Sequence, residues 1–386
     1  MNVLYEAYYV TSRPMMDELL QRIGNELQLP QTKREKASQT YDAIFNFLDS
    51  DEDLFQGNDI DVFPQGSYKI GTTVKPLSGE EYDLDIVLKI KQIWHSDLSP
   101  NVLLDKLYKK FKDSDRYADM VEKKRRCVRI KYAGDFHMDI LPAYPLENIE
   151  SEKLQVPDKQ LNHWVPSAPR LYAKWFEDRC IKLKRMIIEV AQQEPLPYDL
   201  PFEVKPTLKR SVQLIKRQRD VYFSTKNGEA PKSIVLTTLA GMYYQDKGSL
   251  FDDMGHILDS ILSNVCSLQS PPGIPNPIDN GENFAESWKA NVAEFGAFKE
   301  FVSDFAHRWK TLGSIRGLNY ISRHLEEMFG ETVTKEALTK YSEDIQALRE
   351  AGRLTMGNAT GNLSSVGDSE LNSTAVRKNT FFGESR

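Results

Sequence analysis

The chain has 386 residues, 40% of them hydrophobic, with a formal net charge of −6, so it can bury a core large enough for two or three lobes. The acidic balance argues against a protein whose main task is to coat nucleic acid, and no apolar run approaches the roughly 18 residues that cross a bilayer. Met1-Asn2-Val3-Leu4-Tyr5-Glu6 lacks the basic and apolar blocks of a signal peptide, so the chain is expected in the cytoplasm, away from membranes. Cys127, Cys180 and Cys266 are too widely spaced for a disulfide framework or a zinc site and are expected as free thiols.

Apolar residues recur at helical spacing from Pro14 to Leu27 and again from Thr32 to Leu48. From Asp59 to Pro142 the pattern turns mixed. A strand near Asp61-Val62-Phe63-Pro64 runs into Gln65-Gly66-Ser67, a turn expected to start a short helix. Glycine lets backbone N–H groups approach a ligand closely and a serine hydroxyl adds a donor, so Gly66 and Ser67 could cradle phosphates. Alone, the pair reads equally as an ordinary turn.

Sixteen residues after Ser67 comes Asp83-Leu84-Asp85-Ile86-Val87-Leu88. Side chains alternate along a strand, so Asp83 and Asp85 share a face, roughly 6 to 7 Å apart along the backbone, while Leu84, Ile86 and Leu88 enter a core. Such a pair also occurs on solvated strand faces. As a functional feature it suits Mg2+, which takes oxygen ligands from one or two carboxylates plus substrate phosphates; Mn2+ is the alternative ion.

A helix is expected from Asn101 to Phe111, followed by a hairpin, Val128 to Tyr132 and Phe136 to Ala143, turning at Ala133-Gly134-Asp135. Asp139 lies inside the returning strand between Met138 and Ile140, and a carboxylate amid an apolar run is costly unless paired or metal-bound. A cluster of Asp83, Asp85 and Asp139 around metal ions resolves that cost. The eleven Lys and Arg between Lys106 and Lys131 are interleaved with acids, the pattern of a solvated helix and hairpin rather than a nucleic-acid groove.

After an expected loop from Leu146 to Ser167, a long helix is predicted from Ala168 to about Gln193. Further helices follow: Thr207 to Tyr222, Ser233 to Tyr244, Phe251 to Val265, Ala285 to Leu312, Ile315 to Phe329 and Lys335 to Ala351, with a proline-rich loop from Ser270 to Pro277. Gly352 to Arg386 is rich in Gly, Ser, Thr and Asn and reads as a flexible tail. The expected division is 1–166, 167–351 and 352–386.

Gln65-Gly66-Ser67, Asp83-Leu84-Asp85-Ile86 and Met138-Asp139-Ile140 together resemble the catalytic pattern of the polymerase-beta-like nucleotidyltransferases. Phe63-Pro64-Gln65-Gly66-Ser67-Tyr68, Met138 to Ala143, and Asn276-Pro277 followed by Glu282-Asn283-Phe284 and Trp288 are similar to the bacterial cGAS/DncV-like branch. The resemblance covers about residues 14 to 350. It implies an α+β fold: a polymerase-beta-like lobe with a small mixed sheet, a mainly helical, oligoadenylate-synthase-like second lobe, and the Ala168 helix as the spine between them.

The resemblance further implies a metal-dependent nucleotidyltransferase that joins nucleoside triphosphates, ATP among them, into a cyclic di- or trinucleotide signal of anti-phage defence. Asp83, Asp85 and Asp139 would be the catalytic ligands of two Mg2+ ions. By the same resemblance Lys216 would contact the triphosphate and Ser233 would stand at a helix start there; without it they read as a basic helix face and an N-cap. By the same resemblance the tail, with Thr380-Phe381-Phe382-Gly383 near its end, would be handled by an accessory ubiquitin-transfer-like protein; the motif reads equally as a simple packing hook. Two other functions fit the residues: an enzyme making linear oligonucleotides or extending RNA ends, which calls for a basic acceptor groove, and a non-catalytic scaffold acting through the tail. Nucleic acid is not required by the leading reading.

Overall fold

The structure, a computed structural model, describes residues 15–50, 55, 57–77, 80–180, 194–226, 228–358, 363–365 and 373–377. Helix α1 (15–26) and α2 (Gln31–Asp49) precede strand β1 (Ile60–Pro64), the single-turn helix α3 (Gly66–Lys69) and β2 (Tyr82–Ile90). Then come α4 (Pro100–Lys112), β3 (Val121–Lys123), β4 (Val128–Tyr132), β5 (Phe136–Pro145), β6 (Leu154–Asp158) and β7 (His163–Ser167). These strands form one seven-stranded sheet in the order β1-β2-β5-β4-β3, with β6 pairing β5 and β7.

The β2–β5 pair is parallel, and every other pairing in this sheet is antiparallel. A parallel pair needs a crossover. α4 supplies helix for it, opening with Ser99, whose hydroxyl accepts the backbone N–H of Val102, and Pro100 in the first turn. Alternation assigns the faces of β2. Leu84, Ile86 and Leu88 are buried with Ile44, Leu104, Leu107 and Phe111 from α2 and α4. The opposite face carries Asp83 and Asp85, then Val87, which joins a small core with Phe63, Ala143, Leu154 and Val156.

α5 (Pro169–Cys180) leaves the sheet anchored by Arg170, which donates to both carboxylate oxygens of Asp61 on β1 at 2.7 and 3.1 Å and lies 3.6 Å over the Phe63 ring. The remainder of the expected Ala168–Gln193 spine, 181–193, lies outside the described residues. Beyond it come α6 (Thr207–Ser224), α7 (Ser233–Tyr243), α8 (Leu250–Ile261), a hairpin of β8 (Pro275–Asn276) and β9 (Asp279–Asn283), then α9 (Ser287–Ala290), α10 (Val292–Leu312), α11 (Leu318–Phe329) and α12 (Glu331–Glu350). Their core centres on Phe298, Phe305 and Trp309, and the indole N–H of Trp309 donates to the Phe251 carbonyl at 3.0 Å. No helix among the described residues is long and apolar enough to cross a membrane.

Several expectations need correction. The helix 15–26, grouped by sequence with the catalytic lobe, packs Met16, Leu19, Leu20 and Ile23 into the helical core beside Phe202 and Leu208, because periodicity identifies an apolar face but not its partner. The stretch from Leu146 to Ser167, read as a loop, contains the β6–β7 hairpin that extends the sheet. The expected helix from Ala285 to Leu312 breaks at Asn291, where φ is −128° and ψ is 87°. In the segment 352–386, β10 (Leu354–Gly357) pairs with both β11 (Leu363–Ser365) and β12 (Ser373–Ala375), since backbone pairing does not require an apolar pattern. The Thr380–Gly383 motif lies outside the described residues.

Candidate functional site

The parallel register of β2 and β5 sets Asp85 directly opposite Asp139, and Asp83 opposite His137. All four side chains therefore project on the same face of the sheet. Asp83 is 54% exposed, whereas Asp139 is only 15% exposed. Burial, with the nearby charges of Asp139 and Asp83, pushes the Asp85 carboxyl up to about 7. Asp83 is also raised, first by burial.

Arg129 on β4, paired opposite Asp139, holds these acids together. Its Nε donates to Asp139 Oδ1 at 2.6 Å and its Nη2 to Oδ2 at 2.7 Å, a two-pronged contact, while Nη2 also lies 3.2 Å from Asp83. Among the described residues no three Asp, Glu, His or Cys side chains are gathered closely enough to enclose an ion between them. The Arg129 guanidinium occupies both oxygens of Asp139 and reaches Asp83. The donor set still fits a hard cation. It offers oxygen ligands on one sheet face, and Asp85, raised first by burial and then by the charges of Asp139 and Asp83, is a carboxylate whose ionised form positive charge would favour.

The Gly-Ser turn closes over Asp85. Gln65 N–H donates to the Asp85 carbonyl at 2.9 Å, and Gly66 sits at φ +62°, where a Cβ would come 2.4 Å from Asp85 Oδ2. Only glycine satisfies both conditions. Ser67 opens the cavity side of α3, its hydroxyl accepting from Thr73 Oγ1 at 3.3 Å.

A cavity of about 600 Å³ runs between the sheet and the helical lobe, lined by Gly66, Ser67, Asp83, Asp85, Lys216 and Ser233 among others. Lys216, on α6, is buried and donates to Thr72 O at 3.1 Å and Thr72 Oγ1 at 3.0 Å. Burial lowers its ammonium pKa to about 7, assisted by Arg219. Ser233 is the first residue of α7, with Lys232 as the N-cap, and its hydroxyl accepts from Arg219. All the sequence-identified site residues except Asp139 line this cavity, and Asp139 joins it through its pairing with Asp85.

Sequence reasoning missed several groups in and beside the cavity. Arg219 lies three residues after Lys216 and so on the same helix side, a signal the spacing contained. Arg129 is placed opposite Asp139 by the hairpin register, which the turn at Ala133-Gly134-Asp135 also implied. Arg126, Asp220, Tyr172 and Ser167 had no local signal. Within the basic segment, Arg126 donates to Asp158 at 2.9 Å and Glu286 at 2.8 Å, so its charge is committed to the protein and not to a solvated face.

The profile of the Second Messenger Oligonucleotide or Dinucleotide Synthetase domain matches residues 15–179. A c-di-GMP synthase of Roseivirga ehrenbergii is 29% identical over 378 residues, 97% of this chain and 98% of that protein. The cyclic dinucleotide synthase CdnG of Bradyrhizobium diazoefficiens is 28% identical over 354 residues, 85% of this chain and 83% of its own length. The solved structure of the CD-NTase CdnG from the same organism in complex with GTP aligns with a TM-score of 0.69 at 23% identity, covering 84% of this chain and 98% of that one.

Proposed function

We propose that the chain is a cGAS/DncV-like nucleotidyltransferase that joins two nucleoside triphosphates into a cyclic dinucleotide second messenger for anti-phage signalling, a reading supported by its similarity to a dinucleotide-synthetase domain and to two cyclic dinucleotide synthases. A ribose hydroxyl oxygen of one nucleotide bonds to the α-phosphorus of the other, the bond to pyrophosphate breaks, and the hydroxyl proton is lost to solvent. A second transfer in the opposite sense closes the ring and releases a second pyrophosphate. The observation that carries this reading is the stacking of Gly66 and Ser67 over Asp85, with Asp83 and Asp139 on the same sheet face beside the cavity. Similarity over 97% and 85% of this chain to two proteins named as a c-di-GMP synthase and a cyclic dinucleotide synthase supports the cyclic product.

Each residue has a physical task in this reading. Asp83, Asp85 and Asp139 would hold two Mg2+ ions, which when bound neutralise phosphate charge and lower the hydroxyl pKa. Arg129 orients Asp139 and balances the acids. Gly66 brings backbone N–H groups close to the triphosphate, and Ser67 adds a hydroxyl donor. Lys216 and Arg219 face the same cavity and offset the remaining negative charge, with Lys216 also pinning the turn after α3 through Thr72. An accessory protein acting on the tail belongs to the same proposal, tested by partner capture with a chain ending at Ala351.

Incubation of the protein with the four nucleoside triphosphates and Mg2+, followed by mass spectrometry of phosphatase-treated product, tests the reading. A phosphatase-resistant cyclic dinucleotide is expected. Incorporation that requires added RNA, or products that remain linear, would overturn it.

A further inference from the structure

Part of the cavity wall is built by the end of β7, the β8–β9 hairpin with the residue after it, and the first turns of α5. Ser167, Asn276, Glu282, Phe284 and Tyr172 line it. Asn276 is fully buried, and both ends of its amide are committed: Oδ1 accepts from Ile278 N–H at 3.1 Å and Nδ2 donates to Glu282 Oε2 at 2.7 Å. Ser167 Oγ donates to the other oxygen, Glu282 Oε1, at 3.4 Å. The carboxylate is thus held in one orientation by neutral donors.

No Lys or Arg among the described residues forms an ion pair with Glu282, and the nearby Arg126 is taken by Asp158 and Glu286. Burial raises the Glu282 carboxyl accordingly. A carboxylate partly withdrawn from water into a cavity without a cationic partner favours further donors that reach it. Each oxygen has one protein donor and keeps acceptor capacity for another. Phe284 and Tyr172 stand beside it, ring centroids 5.5 Å apart and nearly perpendicular, giving apolar walls suited to a flat aromatic ligand.

We propose that Glu282, held by Asn276 and Ser167, reads a guanine base, accepting its N1–H and N2–H on the two carboxylate oxygens. This deepens the cyclic dinucleotide synthase reading and rests on it. Guanine presents two adjacent N–H donors on that edge, matching a carboxylate. Adenine presents one donor beside the N1 acceptor, so its N1 lone pair would face a carboxylate oxygen. Inosine keeps N1–H but lacks the N2 amine, and matches only one oxygen.

The test uses Glu282→Gln in the full chain. Glutamine retains an oxygen to accept from Asn276 and replaces the other oxygen with an amine, an edge complementary to adenine rather than guanine. Calorimetric binding of GTP, ITP and ATP, all with Mg2+, is compared for wild type and variant, alongside product composition from mixed triphosphates. Wild type should bind GTP roughly tenfold or more tightly than ITP, the worth of one hydrogen bond to a charged group. The variant should lose that preference and shift incorporation at one position from guanine towards adenine. Equal GTP and ITP binding by wild type overturns the proposal, even if the variant fails to fold. So does a variant that weakens GTP and ATP by the same factor, the result expected of a merely structural glutamate. A wild type that discriminates GTP from ITP yet forms no joined product would instead defeat the synthase reading and leave the base contact standing.

Discussion

Replacing Gly66 by alanine separates backbone strain from steric displacement of a site carboxylate. At φ +62° an alanine costs about 1–2 kcal/mol relative to glycine, a melting shift of about 1–3 °C for a chain of this length. The larger effect is local. The new Cβ would lie 2.4 Å from Asp85 Oδ2 and 3.2 Å from its Cγ, so reaching ordinary contact moves the carboxylate by roughly 1 Å. Misplacement on that scale in a reacting site lowers rate on the order of 100-fold. Initial rates of pyrophosphate release and a thermal melt measure the two effects separately. Gly352 provides the control, with φ +68° and nothing within 4 Å of its would-be Cβ: alanine there should show the melting shift without the rate loss. Turnover by Gly66→Ala within tenfold of wild type, or an equal rate loss in Gly352→Ala, would refute the reasoning.

Asp85→Asn should stabilise the chelator-treated protein at pH 8 while abolishing turnover. The folded carboxyl titrates near 7, above its usual 3.8, so ionisation is penalised in the folded state. The penalty is complete above about pH 7 and fades as pH falls towards 4; a melting difference independent of pH would contradict it. Lys216→Met should weaken triphosphate binding in calorimetry. Its ammonium is held to about 7 against a usual 10.5, so the folded state resists protonation, most fully below pH 7. Relative to wild type the variant should accordingly be more favourable at pH 7 than at pH 10 by thermal melt, and unchanged nucleotide affinity would dismiss the phosphate role. Asp139→Ala should remove most turnover while a circular dichroism spectrum stays native, and near-normal rates would remove Asp139 from the site.

The acidic pair was legible because alternation along β2 is local: Leu84 and Ile86 had to be inside, so Asp83 and Asp85 had to share the other face. Asp139 was legible for a similar reason, as a carboxylate between the buried Met138 and Ile140. Gly66 was singled out from its motif, but its closeness to Asp85 was visible only in space. The β6–β7 hairpin escaped notice because its strands are five residues each and carry prolines at Pro157 and Pro166. The roles of Asn276 and Glu282 escaped notice as well. They sit in a segment whose prolines and glycines mark a loop, and only the hairpin geometry turns their polar groups towards the cavity.

The order of chain letters by itself determined which residues could be acids on a strand face, a phosphate-cradling turn and amphipathic helices, because these depend on spacings of two to four residues. Tertiary structure alone decided that β2 and β5 lie parallel with Asp85 opposite Asp139, that α1 joins the helical core, and that Arg129 reaches across to Asp83. Such pairings join segments tens to hundreds of residues apart. Their register is selected by the packing of whole faces against one another, and a local pattern of apolar and polar residues does not encode which distant face will be met.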